Sequence, residues 1–117
     1  MKMKIETVEP NHEWNILNEE GRVLGSIYVS ETYYSRSKIL MVEGHEIGEV
    51  KNKEDGMKRL EQFFIENKEN IELKKKEIAE LKRDFKKVTH KSSKNHITKI
   101  ISQFEEELKK MKELDIA

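Results

Sequence analysis

Apolar residues recur at alternating steps of three and four from Met57 to Val88: Met57, Leu60, Phe64, Ile71, Ile78, Leu81, Phe85 and Val88. Asn67 and Lys74 fill the two slots of that series that are not apolar. Such spacing lays one stripe along one side of a helix, and the stripe must be covered by a partner. No proline interrupts Asn52 to Val88, and the only glycine there is Gly56. A helix of that span is on the order of 50 Å long. Asn52 is the expected N-cap, with Asp55 three residues on to engage the free N–H groups. Asn67-Lys68-Glu69-Asn70 is the expected weak point, where helix propensity is lowest.

A second seam follows in Ile97, Ile101, Phe104, Leu108 and Met111. Between the seams, Thr89 to Asn95 is rich in Ser, Thr and Asn and reads as a break, with Asn95 capping a last helix that runs to about Leu114. A short connection makes amphipathic helices antiparallel neighbours, so Ile97–Leu114 is expected to return along Ile71–Val88. Phe63, Leu73, Ile100 and Leu114 flank the stripes and widen the apolar surface. Polar seam residues such as Asn67 and Lys74 cost stability but tolerate a dimer, so a homodimer through the helices is expected.

The first fifty residues read as β structure. Met3, Ile5 and Thr7 alternate with charged residues until Pro10, and Trp14 and Ile16 form the next alternation. Asn18 to Gly21 is a turn, with glycine free to take positive φ. Val23, Gly25, Ile27 and Val29 share one face of a strand, and Leu24, Ser26 and Tyr28 the other. Apolar groups on both faces suggest a central strand. Glu31 to Ser37 reads as a loop, Ile39 to Val42 as a strand, Glu43-Gly44 as a tight turn, and His45 to Val50 as a short strand. The expected fold is therefore α+β: an antiparallel meander of four or five strands over residues 1–52, then a helical hairpin over 53–117. Trp14, Ile27 and Ile39 are expected to face Leu60, Phe63 or Phe64 of the first helix.

The chain has 117 residues, with 23 basic and 23 acidic side chains and no net formal charge. That balance supplies no global field for nucleic acid or membrane. It hides an asymmetry: residues 1–50 carry five basic against nine acidic groups, a net of −4, which leaves +4 on the rest. No cysteine is present, which excludes disulfides and thiolate chemistry. No apolar run is long enough for a signal peptide or for a membrane span of roughly 20 residues. A soluble, cytoplasmic protein is expected.

Lys82, Arg83, Lys86, Lys87, Lys91, Lys94 and Lys99 fall within one short stretch opposed only by Asp84, with His90 and His96 among them. Such a hairpin tip could hold phosphates, and the start of the last helix adds its own N–H groups. Against that, lysine is an ordinary surface residue and few aromatics interleave here to stack bases. His90 and His96 lack the further ligands that zinc needs. Glu105, Glu106 and Glu107 point three ways around a helix and form no single site. Tyr28, Tyr33 and Tyr34, with Arg36 and Lys38, cluster around the loop after the central strand, a composition that suits a contact surface.

No catalytic pattern emerges, since the five glycines are scattered and no serine has a nucleophile-elbow context. No enzyme activity, cofactor or metal is expected. Gly21-Arg22-Val23-Leu24-Gly25-Ser26-Ile27 resembles the central strands of an acetyltransferase fold. Where that family carries a pyrophosphate loop rich in Gly and Arg, this chain reads Gly48-Glu49-Val50-Lys51-Asn52. Residues 12–66 also resemble the three-strand-plus-helix DNA-binding modules of phage integrases, but the acidic β half opposes DNA on that sheet. The sequence thus points to a protein-interaction module, in the style of small phage or mobile-element accessory proteins that bind and inhibit a host complex. The alternative is a binder of nucleic acid or an anionic nucleotide through the basic tip.

Overall fold

A computed structural model describes residues 1–31 and 36–117. Five strands precede two helices: β1 (Lys4–Glu9), β2 (Glu13–Leu17), β3 (Val23–Glu31), β4 (Arg36–Val42), β5 (His45–Val50), α1 (Lys53–Lys87) and α2 (Lys91–Glu113). The strands form one antiparallel sheet in sequence order, with β3 at its centre. This is the expected α+β meander followed by a helical hairpin. Two compact units divide the chain inside α1, residues 1–64 (with Ala117) and residues 65–116.

Local chemistry sets the turns of the sheet. The Asn18 side chain accepts a hydrogen bond from Arg22 N at 2.8 Å, and Gly21 takes φ +84°. Glu43 and Gly44 both have positive φ, 48° and 76°, between the paired residues Val42 and His45. Two left-handed residues give a hairpin turn whose twist matches the flanking strands.

Register identifies the core face. Trp14 pairs with Ile27 and Ile27 with Leu40, so these three form one row across the sheet. All three are buried, as are Ile16, Val42 and Val50. The first turns of α1 cover this face with Leu60 and Phe64, both fully buried. Helix and sheet approach closely at two glycines. A Cβ on Gly25 would meet both Leu60 methyl carbons at 3.2 Å, and one on Gly56 would collide with Ile27 Cδ1. Each large apolar side chain buried here contributes about 1.5–3 kcal/mol.

Several expectations need correction. Ile39 is buried, but its register partners are Tyr28 and Glu49, and its neighbour Leu40 occupies the helix-facing row. Ile39 therefore lies on the opposite face from α1. Leu24 has no partner in β2, because Ile16 pairs with Gly25 and Leu17 with Val23. This bulge turns Leu24 inward, to 2 % exposure, and leaves Val23 outside. Glu31, Arg36 and Ser37 are strand residues, with Glu31 opposite Arg36 and Ser30 opposite Ser37.

The helix expectations divide. The cap is as read: Asn52 Oδ1 accepts from Asp55 N at 2.8 Å, and Asp55 Oδ2 accepts from Lys51 N at 2.9 Å. α1 runs unbroken through Asn67-Asn70. The interruption after it covers only residues 88–90, and α2 already begins at Lys91 with His90 as its N-cap. Asn95 is therefore inside α2 and caps nothing. Ser92 and Ser93 sit in the first turn, where free N–H groups make small polar residues acceptable. Among the described residues no helix is long and apolar enough to cross a membrane.

Candidate functional site

In the second unit α1 and α2 meet along the two seams, and the polar interruptions of the stripe are the best-defined contacts. Asn67 is buried and its side-chain nitrogen donates to Met111 O at 2.9 Å. Met111 lies in the last turn of α2, where carbonyls lack intrahelical donors, so Asn67 satisfies a helix end from the neighbouring helix. Lys74 Nζ lies 2.9 Å from Glu107, 3.4 Å from Glu77 and 4.0 Å from the centre of the Phe104 ring. The hydrogen bond to Glu107 holds Lys74 above its ordinary pKa, against an opposing effect of burial. The same hydrogen bond holds the Glu107 carboxyl below its ordinary value. Both polar slots are thus occupied within one chain.

The apolar seam is covered unevenly. Ile71 and Ile78 of α1 are buried. Leu81, Phe85 and Val88 are only half-buried, and so are Ile97, Ile101, Phe104, Leu108 and Met111. α2 contains no buried residue at all. The flanking Ile100 and Leu114 are half-buried too, and Leu73 is 56 % exposed.

The basic tip is formed by the last turns of α1 and the first turns of α2. Lys82 pairs with Glu105 at 3.1 Å, and Lys94 Nζ lies 5.6 Å from the centre of the Phe85 ring. Arg83, Lys86, Lys87, Lys91 and Lys99 are exposed, with no ion pair among the described residues. His90 Nδ1 is 2.7 Å from Ser92 Oγ, and His96 is exposed. α2 has no acidic residue in its first turn and no side-chain cap.

Arg36 is not part of that tip. It lies in the first unit, where its Nη2 donates to Asn11 O at 2.9 Å and its Nε is 3.6 Å from Glu31. Tyr33 and Tyr34 lie outside the described residues. Arg36 shares a cavity of about 600 Å³ with His12, Trp14, Lys38 and Lys53; of these the sequence groups only Lys38 with Arg36. The alternation of β4 does place Arg36 and Lys38 on one face, but the approach of Lys53 depends on how α1 docks. Compared with protein-family models, curated proteins and solved structures, the chain matches none.

Proposed function

We propose that this chain is a non-enzymatic protein-interaction module whose working surface is the α1–α2 pair. The supporting observation is that α2 presents a broad apolar stripe and buries none of it fully. Two helices alone cover such a stripe poorly, and a further apolar surface would complete it. The first occupant to test is a second copy of the chain; the wider reading is a target in a host complex that the module would inhibit. The small, cysteine-free, Lys-rich composition fits accessory proteins of that kind.

Light scattering at about 50 μM, where association of Kd near 1 μM would be nearly complete, tests the self-association. A dimeric mass is expected. Leu73→Glu with Ile100→Glu should return it to monomer with helical content preserved. A monomeric wild type that also co-purifies with no host protein would remove the reading.

A second reading rests on the tip, where six of the seven cations lack an acidic partner among the described residues. Its signature is a steep loss of single-stranded DNA binding with salt, about 0.7 per phosphate contact on logarithmic axes. A flat salt dependence would leave the apolar surface as the interaction site.

A further inference from the structure

The core face of the sheet continues beyond the start of α1. Past the row Trp14–Ile27–Leu40, the next row carries Val29 opposite Lys38, and beyond it Glu31 stands opposite Arg36. Lys53, the first residue of α1, and His12 also line this region. The resulting cavity, about 600 Å³, falls within the usual size of small-molecule sites, roughly 300–1,000 Å³.

Its charges are not balanced by the protein. Arg36, Lys38 and Lys53 all line it, and among the described residues Glu31 is the one carboxylate in the lining. Lys38 and Lys53 are half-buried, yet neither has an ion pair among the described residues. Among the described residues, Lys53 has the Trp14 ring, 5.9 Å from its Nζ, and no carboxylate. The half-buried Lys74, by contrast, lies against two carboxylates. A partly desolvated ammonium ordinarily gains such a partner. Arg36 is already oriented, held by Glu31 and the Asn11 carbonyl, and its fork suits an anion with several oxygens. Two of these cations, Arg36 and Lys38, belong to residues 1–50, whose net charge is −4.

From this geometry we infer that the cavity beside Lys38, Lys53 and Arg36 binds the phosphate group of a small molecule. The two lysines supply point charges, and Arg36 supplies a directed pair of N–H donors. The cavity has room for more than a bare phosphate, so a phosphate ester should bind more tightly than an inorganic anion of similar charge.

Trp14 is the only tryptophan and lines the cavity, so its fluorescence reports occupancy directly. The full chain is titrated with inorganic pyrophosphate, AMP and, as control, acetate at constant ionic strength. Saturable quenching or enhancement by a phosphate probe but not by acetate is expected, and tighter binding of AMP than of pyrophosphate would assign an ester. Lys38→Gln with Lys53→Gln should weaken binding at least about tenfold, the usual scale for losing charge-assisted hydrogen bonds. Glu31→Gln removes the competing charge but keeps an amide oxygen that can accept from Arg36 Nε, so it should tighten binding, which keeps the test open if the lysine variant does not fold. The inference is overturned if neither phosphate probe saturates at millimolar concentration. It is equally overturned if Glu31→Gln leaves affinity unchanged, or if Lys86→Gln with Lys87→Gln abolishes the signal instead.

Discussion

Phe64 in the first unit and Phe104 in the second both occupy seam positions on amphipathic helices, yet their surroundings differ sharply. Phe64 is almost wholly buried and belongs to the same core as Ile16, Ile27, Leu40 and Leu60. Phe104 is half-exposed, with the Lys74 ammonium 4.0 Å from its ring centre. The largest fully buried side chains all belong to the first unit, and the second unit buries only Ile71, Ile78 and Asn67 among the described residues. A sheet offers a helix a broad surface, whereas a second helix covers only a narrow strip. Identical periodicity therefore produces a sealed core in one place and a half-covered seam in the other. The first unit holds a sealed core, and the second leaves much of its apolar seam half-exposed.

Truncations should show the largest contrast. Phe64→Ala is expected to cost about 3–5 kcal/mol, as large aromatic deletions in packed cores do. Phe104→Ala should cost well under half of that in chemical denaturation of the isolated chain. Equal costs would mean that the seam of the second unit is sealed in solution, as it would be in a dimer.

Gly56→Ala should come next. Alanine favours helix by about 1 kcal/mol over glycine, but the added methyl would collide with Ile27 Cδ1. Overpacking of this kind costs about 1–3 kcal/mol, so a net loss of stability is expected. A gain in melting temperature would show that helix and sheet approach less closely than the side chains indicate.

Asn67→Ala should cost about 1–2 kcal/mol, because it leaves the Met111 carbonyl without its donor. Asn67→Leu separates stability from register. If it restores the loss but permits mixed oligomers on light scattering, the asparagine specifies pairing rather than strengthening it.

The smallest effect is electrostatic. The ordinary carboxyl value near 4.5 is lowered at Glu107, and the ordinary lysine value near 10.5 is raised at Lys74. Their contribution is therefore fully present between about pH 4.5 and 10.5. It is lost as pH falls below that window through the lowered Glu107 value, and as pH rises above it through the raised Lys74 value. Glu107→Gln should flatten the acid limb of the pH–stability curve for the second unit. An unchanged acid limb would show that solvent screens the pair completely.

Much of the architecture was legible in local pattern. Alternation around Trp14 and Ile16, the turn at Asn18–Gly21, the Glu43-Gly44 hairpin and the Asn52–Asp55 cap all rest on neighbours within a few residues. The misreadings arose where a distant or additional residue decides. One extra residue at Leu24 reverses the alternation of β3, which a period of two does not reveal. Residues 89–95 have the composition of a loop, but most of them occupy the first turns of a helix, where that composition is also tolerated. Asn67 looked like a cost in the stripe because its partner, Met111, is 44 residues away. The cavity around Arg36 is hidden for the same reason: Lys53 joins Arg36 and Lys38 in its lining only once α1 has docked on the sheet.

The continuity of α1 also bears on the order in which the chain assembles. Starting a helix is the costly step, with a nucleation constant near ~10⁻³, while each added residue gains one hydrogen bond. The Asn52–Asp55 box and the docking of Leu60 and Phe64 supply that nucleus within the first unit. Residues from Ile65 to Lys87 inherit helical geometry and only have to propagate it. α2 starts anew at His90 without a side-chain cap and needs the exposed side of α1 as its template. This asymmetry predicts an order of sheet, then α1, then α2, the order in which synthesis delivers them, and amide hydrogen exchange should then be faster in α2 than in the first turns of α1.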